Sequence, residues 1–272
     1  MDTDTTNEQA TTDADAPESL FERSWLAPTS EEERKRLRAH NMNMFERKYP
    51  VVFDRLNGFT PRSELIFDED GQPDMVFADT KFYDGDLIDF TDRQFTMYWR
   101  NPNRLSVAPP APHTVDTHVS RFLEPMLLRL NDEAEVKFSV GRSYPEGFYG
   151  IVMGIGLGRH IPKFIENTKC RNLFLLEPNL EGFHHSLELI DWGVLLMEMQ
   201  DRDGDVFFFI GGTAQDWMDG LRYQTRATNP NSLDGTFVYT HYTNPLFVEF
   251  SAKFNKESQF LLTGLGFFYD EQ

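Results

Sequence analysis

The residues Phe148-Tyr-Gly-Ile-Val-Met-Gly-Ile-Gly-Leu-Gly158 decide the fold of this chain. Their first part, Phe148–Met153, is a short apolar run of the kind that forms a buried strand. Their second part, Gly154–Gly158, spaces its glycines as G-x-G-x-G, which is typical of a tight turn between a strand and a helix. The segment Ile151–Gly158 is therefore predicted to contain the first strand and turn of a Rossmann-like α/β unit.

The residues that follow repeat the order of strand and helix. Further strands are predicted at Asn172–Leu176, Val206–Ile210 and Phe237–Tyr239. Each is a continuous apolar run rather than an alternation, which indicates a parallel sheet covered on both faces. Helices are predicted at Arg159–Asn167, Leu180–Ile190, Thr213–Leu221 and Pro245–Leu262. The expected fold class is α/β: a Rossmann-like (methyltransferase-like), mostly parallel sheet with flanking helices, preceded by a helical and β-hairpin amino-terminal subdomain.

The residues before the Gly-rich turn follow a different pattern. Met1–Ser19 contains six carboxylates and no Lys or Arg, and its lack of an apolar period predicts a disordered tail. Ser30 is expected to cap a helix, with Glu33 as its capping-box partner. Pro50 is expected to interrupt or restart that helix, and the second piece should end near Gly58.

A β region is predicted next. Glu64–Phe67 and Met75–Ala78 flank an Asp-Gly turn and so predict a hairpin, and Gln94–Trp99 is predicted to be another strand. The prolines of Val107–Pro112 mark a connector, and a helix is predicted at His118–Leu130. We therefore expect a disordered tail (residues 1–19), a helix plus β-hairpin subdomain (20–112) and a Rossmann-like domain (113–272).

Composition limits the classes of function. The formal net charge is −18, and −12 remains when the acidic tail is left out. Such a surface repels nucleic-acid phosphates and anionic lipids, so neither nucleic acid nor membrane is expected as a partner. The single cysteine, Cys170, excludes an internal disulfide and a Cys-based zinc site. The sequence has no apolar run of transmembrane length, and its acidic start is unlike a secretory signal, so a cytoplasmic protein is expected.

The candidate binding residues follow the predicted strands. They are Gly154, Gly156 and Gly158 after the first strand, Glu177 at the end of the second, and Gly211 and Gly212 at the end of the third. A Gly-rich turn brings backbone N–H groups close to a ligand, and an acidic residue after the next strand commonly binds a ribose diol. Because the carboxyl ends of parallel strands share one edge, all six residues would line one crevice.

Two interpretations of these residues stay open. The G-x-G-x-G spacing is closer to S-adenosylmethionine-dependent methyltransferases than to the dinucleotide pattern G-x-G-x-x-G, which favours an S-adenosylmethionine or nucleotide site. However, Val152 stands where methyltransferases carry a further acidic residue. Glycines also occur in tight strand-to-helix turns because they allow positive φ and close packing. On that interpretation the turn is structural and Thr213 simply caps a helix.

No metal site or other catalytic motif is predicted. Adjacent helical positions point about 100° apart, so His184 and His185 are not expected to share a metal and are interpreted as surface or capping residues. Asp84, Asp86 and Asp89 resemble a carboxylate loop but lack the glutamate that completes an EF-hand, so a solvated turn is expected.

Several segments, taken in order, resemble the amino-terminal part of bacterial Maf-type (motility-associated factor) flagellin glycosyltransferases. They are Asn41-Met-Asn-Met-Phe-Glu-Arg-Lys-Tyr-Pro50, Tyr149–Gly158, Leu173–Pro178, Leu187–Trp192, Val206–Gly211 and Gly264–Glu271. The resemblance covers about Asn41–Glu271. It implies a role in the transfer of nonulosonic acids, such as pseudaminic or legionaminic acid, from a CMP-sugar to Ser or Thr of flagellin.

The resemblance also implies where the chemistry lies. In this family the transferase activity is associated with a central domain that carries a motif resembling Gly-x-Gly-Pro-Ser, and this motif does not occur in the chain. No catalytic residue is therefore assigned, and no cofactor is expected. The implied role is an accessory domain that scaffolds the catalytic domain or binds flagellin. The alternatives are an S-adenosylmethionine- or nucleotide-binding enzyme and an interaction module with an acidic, aromatic-rich surface.

Overall fold

A computed structural model gives the fold and describes residues 18–105 and 146–269, together with Arg129 and Glu133 between those ranges. The predicted disorder of Met1–Ser19 lies outside the described residues, apart from its last two positions. The same holds for the predicted connector Val107–Pro112 and, apart from Arg129, for the predicted helix His118–Leu130. The boundary between the two predicted domains therefore stays a prediction.

The described residues form two β-sheets. The strands are β1 (Glu64–Phe67), β2 (Pro73–Phe77), β3 (Thr80–Lys81), β4 (Tyr149–Met153), β5 (Asn172–Glu177), β6 (Asp205–Ile210) and β7 (Phe237–Thr240). The first three form an antiparallel sheet in the order β1-β2-β3, and the others form a parallel sheet in the order β6-β5-β4-β7. In the larger sheet Ile151 lies opposite Phe174 on one side and Val238 on the other. The predicted parallel sheet and hairpin are confirmed.

Helices cover both faces of the parallel sheet. They are α1 (Leu20–Ser24), α2 (Glu31–Lys48), α3 (Pro50–Asn57), α4 (Leu87–Arg100), α5 (His160–Thr168), α6 (Glu181–Ser186), α7 (Trp192–Asp201), α8 (Ala214–Ala227) and α9 (Pro245–Tyr269). On one face α8 and α9 pack against Ile151 and Met153. On the other face Val152 packs in a cluster with residues of α1 to α7. This double cover explains why β4 and β5 are buried at every position.

The strand order places the reversal point of the sheet between β4 and β7. From β4 the chain proceeds through β5 to β6 on one side, and β7 then returns to the other side of β4. Open α/β sheets form ligand crevices at the carboxyl ends of the strands beside such a reversal point. The turn after β4 and the residues after Thr240 therefore border the place where a ligand is expected, which we call the switch-point crevice.

One predicted strand is a helix. Gln94–Trp99 belongs to α4, whose buried residues Leu87, Thr91 and Phe95 recur every four positions on one face. The side chain of Asp86 caps the first turn of this helix. The prediction was wrong because aromatic residues favour strands in isolation, whereas the four-residue period emerges only when the segment is extended back to Leu87.

Other helix boundaries agree more closely with the sequence. The Ser30 hydroxyl caps α2 by accepting the N–H of Glu33, as predicted, but the Glu33 side chain does not complete the predicted capping box. Helix α3 begins at Pro50 and ends before Gly58, as predicted. The helix predicted at Leu180–Ile190 is shorter, because α6 ends at Ser186. No described helix combines the length and apolarity needed to cross a membrane.

The amino-terminal helices share the core of the parallel sheet. Phe45 of α2 is fully buried. Its ring contacts Phe183, Trp192 and Phe208, with centroid separations of 5.6, 6.1 and 5.5 Å. Edge-to-face ring packing of this kind adds to the free energy gained by burial alone. The helices before the hairpin are thus part of the same packed body as β5 and β6.

Candidate functional site

Glycines shape the turn after β4. Gly154, Gly156 and Gly158 have φ values of +96°, +51° and +84°, which residues with a side chain rarely adopt. Gly156 also lacks space for a side chain, because an added Cβ would overlap the Tyr83 hydroxyl and lie 3.0 Å from the His241 ring. At Gly156, glycine is therefore needed for both backbone conformation and close packing.

The carboxylate of Glu177 lies in this turn and is almost completely buried. Its Oε2 accepts the backbone N–H of Ile155 at 2.8 Å and of Gly156 at 3.4 Å. Its Oε1 accepts the Tyr242 hydroxyl at 2.5 Å and the backbone N–H of Asn179 at 3.4 Å. Burial raises the pKa of Glu177, and these hydrogen bonds oppose that rise. The N–H groups that the sequence offers to a ligand thus bind a carboxylate of the chain itself.

Tyr83 fills the switch-point crevice from the hairpin side. It is buried, and burial raises the pKa of its hydroxyl, which therefore stays protonated. The hydroxyl accepts the N–H of Leu157 at 3.1 Å and lies 2.8 Å from Nε2 of His241. On the other side of that ring, Nδ1 lies 3.0 Å from Oε1 of Gln94. A ring that donates from Nδ1 and accepts at Nε2 satisfies every contact, so we assign that tautomer to His241.

Gln94 and His160 complete the network around His241. The Gln94 amide donates to the His241 carbonyl at 2.6 Å, and its oxygen accepts the Tyr239 hydroxyl at 2.7 Å. The His160 ring stacks on His241 with centroids 3.9 Å apart, and its Nε2 lies 3.1 Å from the Gly154 carbonyl. Burial lowers the pKa of both rings, to about 3 for His241. Both histidines are therefore neutral at pH 7.

The turn after β6 has a different environment. Gly211 and Gly212 also have positive φ, +63° and +81°, but they line an open cavity of about 270 Å³ with Val51 and Arg55 of α3. The indole N–H of Trp217 donates to the Gly211 carbonyl at 2.7 Å. This turn is therefore accessible, unlike the turn after β4.

The first turn of α8 uses its own side chains to bind its free N–H groups. The Thr213 hydroxyl accepts the N–H of Asp216 at 3.2 Å, and the Asp216 carboxylate accepts the N–H of Thr213 at 2.8 Å. This reciprocal capping box confirms Thr213 as the predicted N-cap. A helix start capped in this way has fewer donors left for an anionic ligand.

The six predicted site residues form two groups. Gly154, Gly156, Gly158 and Glu177 meet in the buried turn, whereas Gly211 and Gly212 lie one strand farther out, at the open cavity. The Gly211 N–H donates to the Glu177 main-chain carbonyl at 2.7 Å, so the two groups are joined through the backbone. Whether either group binds a cofactor stays a prediction.

His184 and His185 are buried, so the prediction of surface or capping positions was wrong. Nδ1 of His184 lies 3.2 Å from Arg38 of α2, and Nε2 of His185 lies 2.9 Å from the Ser63 hydroxyl. Burial lowers the pKa of both rings, to about 4 for His184. Arg38 and Ser63, from the amino-terminal part of the chain, pack over this face of α6 and bury the two rings.

The cluster around Ser63 lacks the order of a catalytic triad. The Ser63 hydroxyl lies 2.5 Å from the Glu181 carboxylate and 2.9 Å from His185 Nε2. In a triad the carboxylate binds the far nitrogen of the histidine, so that the ring can accept the proton of the serine. Here the carboxylate binds the serine itself, and the backbone N–H groups of Arg62 and Ser63 also donate to Glu181.

The described residues contain no group of three or more His, Cys, Asp or Glu side chains placed to hold a metal ion. Asp84, Asp86 and Asp89 are exposed, as predicted, but Asp89 belongs to the first turn of α4 rather than to a solvated turn. Asp86 has a structural role there as the N-cap of α4.

Comparison with known proteins places this arrangement in a family. A family model described as the glycosyltransferase Maf N-terminal domain matches residues 38–263. The chain belongs to this Maf family. A solved structure of a MAf glycosyltransferase from Magnetospirillum magneticum AMB-1 is similar to it, with a TM-score of 0.69 and 26% identity. The match covers 84% of this chain and 35% of the other, so the chain spans about a third of that protein. No curated protein sequence matched.

Two segments that carry the Maf resemblance meet in the structure. Asn41 of the segment Asn41–Pro50 is fully buried. Its Nδ2 donates to the carbonyls of Leu187 and Ile190 at 2.9 and 2.7 Å, and its Oδ1 accepts the N–H of Trp192 at 2.9 Å. One side chain thus binds three main-chain groups of the loop between α6 and α7.

Sequence patterns missed the Maf residues that fill the crevice. His241 and Tyr242 directly follow β7, so a correct prediction of the strand order would have placed them beside the turn after β4. Tyr83 and Gln94 carry no comparable local signal. Tyr83 lies in the segment between β3 and α4, Gln94 lies in α4, and both reach the crevice only through tertiary packing.

Proposed function

We propose that this chain is the amino-terminal accessory part of a bacterial Maf-type glycosyltransferase that acts in flagellin glycosylation in the cytoplasm. The transfer reaction would move a nonulosonic acid from a CMP-sugar to Ser or Thr of flagellin. The catalytic groups would belong to another domain of the full-length enzyme. This chain would scaffold that domain or bind flagellin. The family match and the similarity to the Magnetospirillum magneticum structure support the proposal.

The non-catalytic role is inferred from the switch-point crevice, which side chains of the chain itself occupy. A catalytic Rossmann-like unit needs donors that face its ligand at the carboxyl ends of the strands. Here Glu177 and Tyr83 bind the successive N–H groups of Ile155, Gly156 and Leu157. The neighbouring histidines are neutral and enclosed, so neither has access to a substrate proton. The arrangement therefore suits a rigid scaffold.

A transfer assay tests where the chemistry lies. The 272-residue chain is mixed with flagellin and a CMP-nonulosonic acid, and modified flagellin is measured by mass spectrometry. We expect no modification with this chain alone. The Magnetospirillum magneticum glycosyltransferase, assayed with its own flagellin, serves as the reference for assay conditions. Modification by the isolated chain at a rate comparable to that reference would refute the accessory role.

A binding assay tests the partner. Immobilised chain is incubated with purified flagellin at physiological ionic strength, and retained protein is measured. Retention of flagellin would support a substrate-recruiting role. Absence of retention would contradict flagellin binding and favour the scaffold for the catalytic domain. Repetition at high salt shows whether the acidic surface contributes to binding, since surface charge pairs weaken as salt increases.

The alternative function is an S-adenosylmethionine- or nucleotide-binding enzyme. The G-x-G-x-G turn and the acidic residue Glu177 at the end of β5 favour it. Isothermal titration with S-adenosylmethionine, S-adenosylhomocysteine and CMP distinguishes the two functions. We expect no binding, because Glu177 and Tyr83 already bond the turn. Saturable heat with any of the three compounds would contradict this expectation and support the alternative.

A further inference from the structure

The donors around Glu177 are arranged in two pairs, one for each carboxylate oxygen. Oε2 receives the N–H groups of Ile155 and Gly156, and Oε1 receives the Tyr242 hydroxyl and the N–H of Asn179. All four groups donate to the carboxylate here, so the site matches an anion with two acceptor oxygens. Backbone N–H groups at a strand end are held rigidly, and hydrogen bonds to an ionised acceptor are stronger than neutral ones.

The next N–H group along the turn is also bound by a side chain. Leu157 donates to the Tyr83 hydroxyl at 3.1 Å, so three successive N–H groups of the turn bind two side chains from other elements. The rings of Phe82 and Tyr83 lie 4.8 Å apart, and Phe82 packs on Tyr242 at 5.4 Å. The hairpin and Tyr242 thus enclose the carboxylate from the side on which a ligand would enter.

We propose that the Gly154–Gly158 turn is a carboxylate-binding site that the chain occupies with its own Glu177. The switch-point crevice is then an internal socket, in which Glu177 takes the place of an external ligand and Tyr83 attaches the hairpin to the sheet. This inference deepens the proposed accessory function and rests on it. It defines the ligand class of the site as a small monocarboxylate, which binds only when the Glu177 side chain is removed.

Truncation of Glu177 tests the proposal directly. Glu177→Ala removes Cγ and the carboxylate, and acetate has the same two carbons and two oxygens. The thermal midpoint of Glu177→Ala should be well below that of the wild type and should rise with acetate until it saturates, because a ligand that binds only the folded state stabilises it. Sodium chloride at equal ionic strength should have no such effect.

The size of the cavity provides a second criterion. Glu177→Gly removes one carbon more than Glu177→Ala, so it should respond more strongly to propionate than to acetate. Glu177→Ala should show the opposite order, because the alanine Cβ occupies the space that the extra carbon of propionate would need. An inverted or absent preference would show that the anions act elsewhere on the protein.

Glu249→Ala is the matched control. Glu249 is an exposed glutamate 3.9 Å from Lys253, and its loss opens no enclosed site. Neither this variant nor the wild type should gain stability from acetate beyond the effect of sodium chloride. If Glu177→Ala responds no more than these two proteins, the proposal is wrong.

Glu177→Gln covers the case in which the truncated variants do not fold. It keeps the size of the side chain but replaces one acceptor oxygen with a donor. The amide proton resonances of Ile155 and Gly156 should then move upfield relative to the wild type, because a neutral acceptor polarises the N–H bond less. Unchanged resonances would overturn the proposal. Transfer activity in the isolated chain would instead refute the accessory function, so the two failures are distinguishable.

Discussion

Two glycine-rich turns lie at the same edge of the parallel sheet and have opposite environments. The turn after β4 is enclosed, and Glu177 of β5 and Tyr83 of the segment after β3 bind its N–H groups. The turn after β6 faces a cavity of about 270 Å³, and the first N–H groups of α8 are bound locally by Thr213 and Asp216. Both turns have glycines with positive φ.

The difference shows that backbone conformation and ligand access are separate properties of a glycine turn. Positive φ makes the sharp reversal possible in both places. What surrounds each reversal depends on the elements packed over it. Tyr83 and Tyr242 enclose the turn at the reversal point of the sheet, whereas α3 and the start of α8 border the outer turn and leave a cavity open beside it. A ligand-binding position in the topology is therefore not by itself evidence of a ligand.

Alanine at one glycine of each turn gives the largest expected contrast. Gly156→Ala combines left-handed strain with overlap of the Tyr83 hydroxyl, and should lower the free energy of unfolding by about 2–5 kcal/mol. Gly211→Ala has similar strain, but its Cβ would meet only the Pro178 carbonyl at 3.9 Å, so about 1–2 kcal/mol is expected. Urea unfolding measures both. Equal losses would mean that packing over the inner turn adds nothing.

The buried side chain of Asn41 supports the enclosed turn indirectly, through the loop between α6 and α7. Asn41 holds the loop that contains Ile190, and Ile190 packs directly against Gly158. Asn41→Ala leaves three main-chain groups of that loop without partners, which should cost about 2–4 kcal/mol. Asn43→Ala is the control, because Asn43 is exposed on the same helix and its loss should change stability by less than about 0.5 kcal/mol. Chemical denaturation that finds similar losses for both would contradict the role of Asn41.

The sequence predicts the sheet well and the crevice poorly, for a physical reason. Continuous apolar runs such as Tyr149–Met153 report burial on both faces, so the strands and their parallel order could be predicted from local pattern. The positions of Gly156 and Glu177 at strand ends were likewise evident. What fills the crevice was not evident, because Tyr83 arrives from an element more than seventy residues away in the sequence. Gln94 was predicted to lie in a strand, because the helical period of α4 is set by Leu87 and Thr91, which precede the segment Gln94–Trp99.

Buried neutral histidines give the folded chain a specific response to acid. Burial lowers the pKa of His160, His184, His185 and His241 below the ordinary value of 6.5. Between pH 6.5 and the lowered pKa, the unfolded chain binds more protons than the folded one, so stability falls as pH falls. Glu177 acts in the opposite direction, because its pKa is raised, but it is one group against four.

Stability curves at pH 7 and pH 5 measure this effect. With a pKa of about 3, His241 alone should account for about 2 kcal/mol of the loss at pH 5. His241→Gln should be less stable than the wild type at pH 7, and the gap between the two proteins should narrow at pH 5. A gap that stays constant with pH would show that His241 is not a buried neutral group.

The outer turn should give the smallest effect, and its locality makes it informative. Thr213→Ala removes the hydroxyl that caps α8 and should lower the free energy of unfolding by about 1 kcal/mol.

Hydrogen exchange shows whether this loss stays local. Because the N–H groups of the inner turn bind Glu177 and Tyr83, the exchange rates of the Ile155 and Leu157 amides in this variant should change only as much as the global stability does. Ser30→Ala, which removes a similar cap from α2, controls for the global loss. If Thr213→Ala opened the inner turn selectively, the two turns would be coupled through the Gly211 N–H bond to the Glu177 carbonyl. That result would contradict the conclusion that the enclosed turn after β4 and the capped turn after β6 are independent of each other.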